Sequence, residues 1–556
     1  MTSRKRSGSG SKRQLKEKVV QIYESFFKGE DPSLGNPNFW EELFLLKPKV
    51  PSLEAEIQKL SGEQLVALKE NINILFKQCI STLGHEHHIR VVYALQTLCA
   101  LIHSIYKKTS GEYGFDIINI LMGFEMAEKL MQDLLDHCNN FLTGDYPASL
   151  KALCLKLLLV LVTGTENVSQ NTLLEYVMIN SIFEALIQLL CEPATRTQHG
   201  HDAVLLLTLL VNYRKHEAAN PYIVKLSILD DELALNGYGQ VITSCLTEFC
   251  RQFTAQHTEP QSGSWLSSLT SMVGSIFVSE EGGVRTQQIR ANNAVLVALY
   301  EAVHLNRNFI TTLAHTQTDT SAPPSPSNTL NSSQPTPDLS VPPAVDIFAQ
   351  PSNLLVTFFQ YCSIVMQDTK SEASVNNVKL CFLILTCISE DQYANSLMHD
   401  VNLVFKVQLH RLPMRHRKLA PDKASPSQPL ASTLLALRYS TSDGDFKDNA
   451  LRLTISLINV RAIINHFSPK IEAWLASQGL STPSEDQILD VVRKNYDSLT
   501  LKLQDSLDQY DRYAEKPRHA AFFTAMVRSV VNDTRQNIDF ASLDLQLILQ
   551  EFSSIS

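Results

Sequence analysis

The sequence predicts an all-α protein built as a solenoid of stacked helices, on three observations. Glycine is scarce, 20 of 556 residues. Leucine loses little rotamer freedom in a helix while glycine is costly there, so a Leu-rich, Gly-poor chain favours helices over sheets with phosphate-cradling turns. At 556 residues the chain is too long for one compact core. Its third feature is alternation: helices that are apolar nearly all round follow helices with one polar face, a pattern met by stacking between neighbours.

Residues 1–12 are basic and polar and are expected to be disordered. Helical patterning then runs over 13–313. Ser61-Gly-Glu-Gln64 reads as a capping box, in which the two side chains satisfy orphan amides reciprocally. It opens a run that puts Leu65, Leu68, Ile72, Leu75 and Cys79 on one face. The clearest repeat lies at 180–215. An amphipathic helix (Ile182, Leu186, Leu189, Leu190) leads into a short polar turn and then a helix apolar nearly all round, Ala203 to Val211. In an armadillo repeat one helix lines a groove and the next is buried between neighbours, so the expected fold is an armadillo-like helical solenoid. Similar apolar helices at 89–105, 149–163, 287–304 and 376–389 recur at irregular spacing, which marks a degenerate array.

Residues 314–344 break the pattern. Seven prolines and many Ser and Thr between 315 and 343 cannot support a core, which predicts a disordered internal loop with Ser-Pro and Thr-Pro sites. Helical repeats resume over 345–420 and end in a basic segment, a linker covers 421–433, and a C-terminal helical domain covers 434–556. Within it Thr482-Pro-Ser-Glu485 reads as a helix start with Thr482 at the N-cap. Val492, Tyr496, Leu499, Leu503, Tyr510 and Tyr513 then follow 4-3 spacing, with Ser506 in the remaining seam position, and predict an amphipathic helix of about 28 residues.

The formal net charge is −9 and the pI about 6.0, which argues against nucleic acid as a partner. Ten scattered cysteines form no CxxC and lie mostly in apolar runs, so they read as buried, reduced thiols of an intracellular protein. The basic N-terminus has no apolar stretch behind it and does not read as a secretory signal. The apolar run at 152–162 is too short to span a bilayer and contains Lys156.

No motif for catalysis, cofactor or metal survives inspection, so the expectation is a non-enzymatic chain without them. His85-Glu86-His87-His88 is the densest set of ligand types, but adjacent helical positions point in different directions. His199, His201 and Asp202 read as an inter-helix turn. Gly8-Ser-Gly10-Ser-Lys12 lacks the spacing and the preceding strand of a phosphate loop.

Two segments carry candidate contact residues. Over 264–278, Trp265, Leu266, Leu269, Met272, Val273, Ile276 and Phe277 fall on one face of a helix whose other face is Ser, Thr and Gly. The alternatives are a membrane-binding helix that enters lipid-packing defects and a core helix with a Ser-rich side. Over 401–418, Phe405, Leu409 and Leu412 form an apolar stripe beside Lys406, His410, Arg411, Arg415, His416, Arg417 and Lys418. The alternatives are a partner-binding surface centred on Phe405, Leu409, His410 and Arg411 and a helix end with a solvated basic tail.

Four strings carry a resemblance over nearly the whole chain: residues 39–60 and 114–135, NVRAIINHFSPKIE at 459–472, and NYDSLTLKLQDSLDQYDRY at 495–513. They resemble the armadillo-like helical domain-containing protein 3 family. The resemblance implies a scaffold at the cytosolic face of the Golgi membrane and in the cytoplasm. Its implied partners are phosphatidylinositol 4-kinase beta, for which 401–418 would be a docking surface, and a Golgi Arf guanine-nucleotide exchange factor. The implied role is to support phosphatidylinositol 4-phosphate levels and Golgi maintenance. It also implies further helices between 432–435 and 436–450, which this chain lacks. The competing function is an importin-like transport adaptor reading basic peptides in the groove. That function calls for a ladder of groove Trp and Asn, and the chain has only three Trp.

Overall fold

The computed structural model describes residues 16–31, 33–109, 116–257, 289–314, 353–366, 371–391, 459, 462–463, 465–479, 484–500, 514–515 and 517–555. Their regular elements are helices, with no β-strand among the described residues. The chain forms two units, one of Met1–Val241 with Lys516–Ser556 and one of Ile242–Glu515.

The first unit opens with α1 (Lys18–Phe26), α2 (Phe39–Leu43), α3 (Val50–Lys59) and α4 (Gly62–Ala67). The paired α5 (Lys69–Leu83) and α6 (His88–Thr109) follow. Three-helix repeats come next: α7 (Ile117–Leu121), α8 (Phe124–Thr143) and α9 (Ala148–Val162), then α10 (Leu174–Ile179), α11 (Phe183–Cys191) and α12 (Pro193–Val211). A third begins with α13 (Pro221–Ile228) and α14 (Glu232–His257), whose later turns enter the second unit. Helices α3, α6, α9 and α12 stack in sequence as one row, and α5, α8 and α11 as another. That is the armadillo-like arrangement expected from the alternation of apolar and amphipathic helices.

Stacking buries helix ends, and a buried carbonyl without a donor is costly. One side chain solves this in the same way twice. Asn171 stands nine residues after the end of α9, and Asn220 nine after the end of α12. The Asn171 amide donates to the Leu161 and Val162 carbonyls (2.7 and 3.3 Å). Its oxygen accepts from the Leu173 amide and from the Tyr106 hydroxyl, the latter at 2.8 Å. Asn220 donates to Leu210, Val211 and Tyr213 carbonyls and accepts from the Tyr222 and Ile223 amides. Each Asn therefore closes one repeat and starts the next.

The second unit contains α15 (Asn293–Leu305), α16 (Phe309–Ala314), α17 (Leu354–Val365), α18 (Glu372–Glu390) and α19 (Glu485–Asn495). Helix α15 packs on α18, and α16 on α17. The Tyr361 hydroxyl donates to Asn377, whose amide donates to Asn293 (2.9 and 3.2 Å), so a buried polar chain ties α17, α18 and α15 together. Helices α20 (Ala520–Asn537) and α21 (Leu545–Ile555) belong to the first unit.

Eight of the ten cysteines are buried and all are free, and burial pushes the Cys245 thiol up to about 11 and that of Cys250 to about 12. Helix α6 and residues 372–389 of α18 are long and apolar enough to cross a membrane, but 83% and 56% of those windows are buried.

Three local expectations need correction. The capping box at Ser61 and Gln64 is present, but the helix it opens breaks at Leu68, which is half-buried while Leu65, Ile72, Leu75 and Cys79 are buried. The polar stretch after α11 is no turn: Pro193 starts α12 directly. Arg196, buried in the first turns, donates to the Leu190 carbonyl at 2.8 Å and so satisfies the end of α11. This packing is close. A Cβ on Gly237 of α14 would lie 2.0 Å from the Leu190 carbonyl oxygen, so only glycine fits there. Finally, α19 is capped by Ser484 with Gln487, not by Thr482. It ends at Asn495, where the Ser498 hydroxyl takes the Asn495 carbonyl at 2.9 Å and a 3-10 turn follows. A Ser hydroxyl that bonds the backbone competes with helix continuation. Ala314, expected to open the loop, still belongs to α16, and residues 315–344 of that loop and 501–513 of the expected long helix lie outside the described residues.

Replacing Asn220 by Ala removes the one amide group that bonds three buried carbonyls and should cost about 2–4 kcal/mol. Asn220→Asp, which cannot donate, should cost at least as much. Urea unfolding measures both, and a loss below about 0.5 kcal/mol would show that the carbonyls find other partners.

Candidate functional site: the helix row under the C-terminal segment

The face of an armadillo-like array that would meet a partner is a row of parallel helices. In the first unit α6 and α9 are apolar on nearly every side, and the reason is a cover made by the chain's own end. Residues 517–555 run across this row. Gln96, fully buried in α6, donates to the Phe540 and Ala541 carbonyls at 3.0 Å each. His103, also on α6, meets the Phe540 ring edge-on with centroids 5.6 Å apart. His88, at the start of α6, stacks on Phe552 at 3.8 Å.

Helix α9 is held at both poles. Its N-cap is Pro147, which offers no side-chain cap. Instead the Glu551 carboxylate of α21 accepts from the Ser149 amide and hydroxyl (3.0 and 3.1 Å). At the other end Arg535 of α20 donates through Nε and Nη2 to the Thr163 carbonyl (2.9 and 2.7 Å). An anion thus stands at the positive pole and a cation at the negative pole, the favourable sense at each. Between them Lys156 donates to the Asp539 carbonyl.

Beside Arg535 lies a cavity of about 570 Å³ lined by His103, Tyr106, Lys107, Val160, Thr163 and Arg535, among others. Lys107 is paired with Glu54, and Tyr106 is bonded to Asn171. In this unit residues 517–555 cover α6 and α9. The asparagines that recur here are buried repeat junctions rather than groove-lining side chains.

A second cluster lies in the other unit. Glu301 and His304 of α15 and Glu515 bring one ligand atom each within 4.8 Å of one another. The Tyr300 hydroxyl donates to Glu515 at 2.8 Å, and Tyr300 stacks on His304. A Glu-x-x-His step puts both side chains on one helix face. Glu515, more than 200 residues away, gave no sign in the sequence that it would join them. The two His-rich strings show no such convergence: His88 stacks on Phe552, and of the pair on α12 His199 is buried and His201 exposed. The candidate membrane face (Trp265, Leu266, Leu269, Met272, Val273, Ile276, Phe277) and the candidate docking residues (Phe405, Leu409, His410, Arg411) lie outside the described residues.

Comparison with known proteins gives a consistent picture. The family model described as "Armadillo-like helical domain-containing protein 3, C-terminal" matches residues 428–536. Curated proteins named Armadillo-like helical domain-containing protein 3 from Xenopus laevis and Homo sapiens are each 44% identical to the chain over 99% of it and 98% of their own length. The Danio rerio protein of that name is 42% identical with the same coverage. These matches run over 681 positions while the chain has 556 residues, so at least 125 positions face a gap in this chain. No solved structure matches.

Burial holds His103, His137 and His199 of this unit below the ordinary histidine value. They stay neutral in the fold while the unfolded chain takes up protons below about pH 6.5. Stability is therefore full above that value and falls as the pH drops through it towards the folded values. The melting temperature should be lower at pH 5.5 than at pH 7.5, and His199→Gln should shrink the difference. An acid-insensitive melting temperature would contradict this.

Proposed function

Since the chain belongs to the armadillo-like helical domain-containing protein 3 family, we propose that it is a non-enzymatic scaffold that binds phosphatidylinositol 4-kinase beta and helps recruit it to the Golgi. In this reading it supports phosphatidylinositol 4-phosphate levels and Golgi maintenance, and works alongside a Golgi Arf guanine-nucleotide exchange factor. It acts as a peripheral protein on the cytosolic face. The observation that carries the reading is 42–44% identity over 99% of the chain with relatives of one name. The stacked helices support it, because repeat arrays present long, rigid surfaces and generate binding rather than bond-making chemistry.

The docking surface we assign to the kinase is Phe405, Leu409, His410 and Arg411, where two apolar residues stand beside His and Arg in the sequence. Apolar and Arg anchors side by side are typical of residues that dominate binding. The membrane contact we assign to the face from Trp265 to Phe277, which has no Lys or Arg and must rely on apolar insertion.

The kinase should co-purify with the wild-type chain from cells, and Leu409→Ala with His410→Ala should reduce capture at least tenfold while the melting temperature is unchanged. Equal capture by the variant would remove this surface, and absence of the kinase from the wild-type sample would remove the function. For the membrane contact, wild type should float with small, loosely packed neutral vesicles, and Trp265→Asp with Phe277→Asp should stay in the pellet fraction.

A further inference from the structure

Two of the short helices that open repeats, α10 and α13, and the first turn of α14 expose large aliphatic side chains. Ile179 at the end of α10 is 71% exposed, Val224 and Ile228 of α13 are 54% and 69% exposed, and Leu233 in the first turn of α14 is 65% exposed. Ile179 and Val224 lie on segments that are bonded to one another. The Tyr222 hydroxyl donates to the Val177 carbonyl at 3.2 Å, and Lys225 donates to the Ser181 hydroxyl at 3.1 Å, which locks the end of α10 against α13. Val224 and Ile228 are four residues apart, so they share one face, while Tyr222 and Leu226 face the core. Leu233 follows across a short turn.

The fringe of this patch is acidic. Asp230, Asp231 and Glu232 are consecutive and exposed. Asp231 is used locally, accepting from the Leu233 and Ala234 amides. Asp230 and Glu232 form no ion pair among the described residues. The one cation on α13, Lys225, is already paired with Glu184 at 2.6 Å. Four aliphatic side chains, each more than half exposed, beside unneutralised carboxylates are an unusual surface to leave bare.

We propose that this patch is a docking surface for a partner protein's amphipathic helix with aliphatic anchors at i and i+4 and Lys or Arg beside them. Charge decides among the occupants. A second copy would bring the same carboxylates against these, and like charges in apposition are unfavourable. An anionic membrane surface would be repelled by the same fringe. A basic amphipathic helix covers the aliphatic residues and neutralises Asp230 and Glu232 together, joining apolar contact to electrostatic complementarity. The surface is distinct from the segment at 401–418 assigned to the kinase.

The test uses the full chain and a fluorescein-labelled eighteen-residue model helix with Leu at i, i+4 and i+7 and Lys elsewhere. Its Glu-for-Lys counterpart is the control. Fluorescence anisotropy should show salt-sensitive binding of the Lys helix and none of the Glu helix. Val224→Ser with Ile228→Asp should weaken binding at least tenfold, and so should Asp230→Asn with Glu232→Gln, which leaves the aliphatic residues untouched. The second pair should also flatten the salt dependence. All four positions are exposed, and circular dichroism checks that both variants keep the helical fold. Unchanged affinity in both variants overturns the proposal. Two other outcomes also overturn it: self-association that Ile228→Asp abolishes assigns the patch to a second copy, and vesicle flotation that the same variant abolishes assigns it to lipid.

Discussion

A stacked helical repeat must satisfy the carbonyls it buries at every helix end, and the first unit depends on how Asn171 and Asn220 do so. A helix that ends in water leaves its last carbonyls to solvent. In this stack they are enclosed by the next repeat, so a side chain must both donate to them and start the following helix. Asn can donate twice from its amide and accept from its oxygen. Asp lacks the donors, and Gln is one methylene longer. The same nine-residue step from helix end to Asn in two successive repeats shows that the turn between repeats is built around this residue. The Tyr106 hydroxyl on Asn171 and the Tyr222 hydroxyl on the Val177 carbonyl tie each junction to the neighbouring repeat. Stability in such an array is passed from neighbour to neighbour.

Helix α9 shows what closes the array. It is nearly all apolar and has no cap of its own at the N-terminus, so it needs cover on its outer side and charges at both poles. Residues 517–555 supply all three: Phe540 and the α21 side chains Ile548 and Phe552 are buried, Glu551 meets the first turn and Arg535 the last. The same contacts decide what this unit offers to partners. Helices α6 and α9 are covered by the chain's own C-terminal segment, while α10, α13 and the first turn of α14 keep exposed aliphatic residues.

The apolar helices were legible because an all-round apolar helix can only be buried. The helix-rich fold and the repeat at 180–215 followed from the same reasoning. What covers α6 and α9 was not legible: Gln96 and Phe540 are 444 residues apart, and no periodicity relates them. The polar start of α12 was misread for a different reason. Arg196 and His199 look like turn residues by composition, yet Arg196 is held in the helix by the carbonyl end of α11, so tertiary contact outweighs local preference. Asn171 and Asn220 are single residues in ordinary strings, and only the structure shows that the equal nine-residue spacing means equal function.

The closure also bears on changes of length between the two parts of the first unit. Because Met1–Val241 and Lys516–Ser556 form one unit, residues 242–515 are an excursion that leaves that unit and returns to it. The entropy of closing such an excursion grows only with the logarithm of its length, so about 125 residues more or fewer changes that cost by well under 1 kcal/mol. Contacts in a repeat array are between neighbours, so losing interior helices exposes faces only at the site of loss. The contacts that seal α6 and α9 use residues 88–163 and 535–552 alone. A shorter or longer excursion between 242 and 515 therefore leaves the contacts that seal α6 and α9 intact.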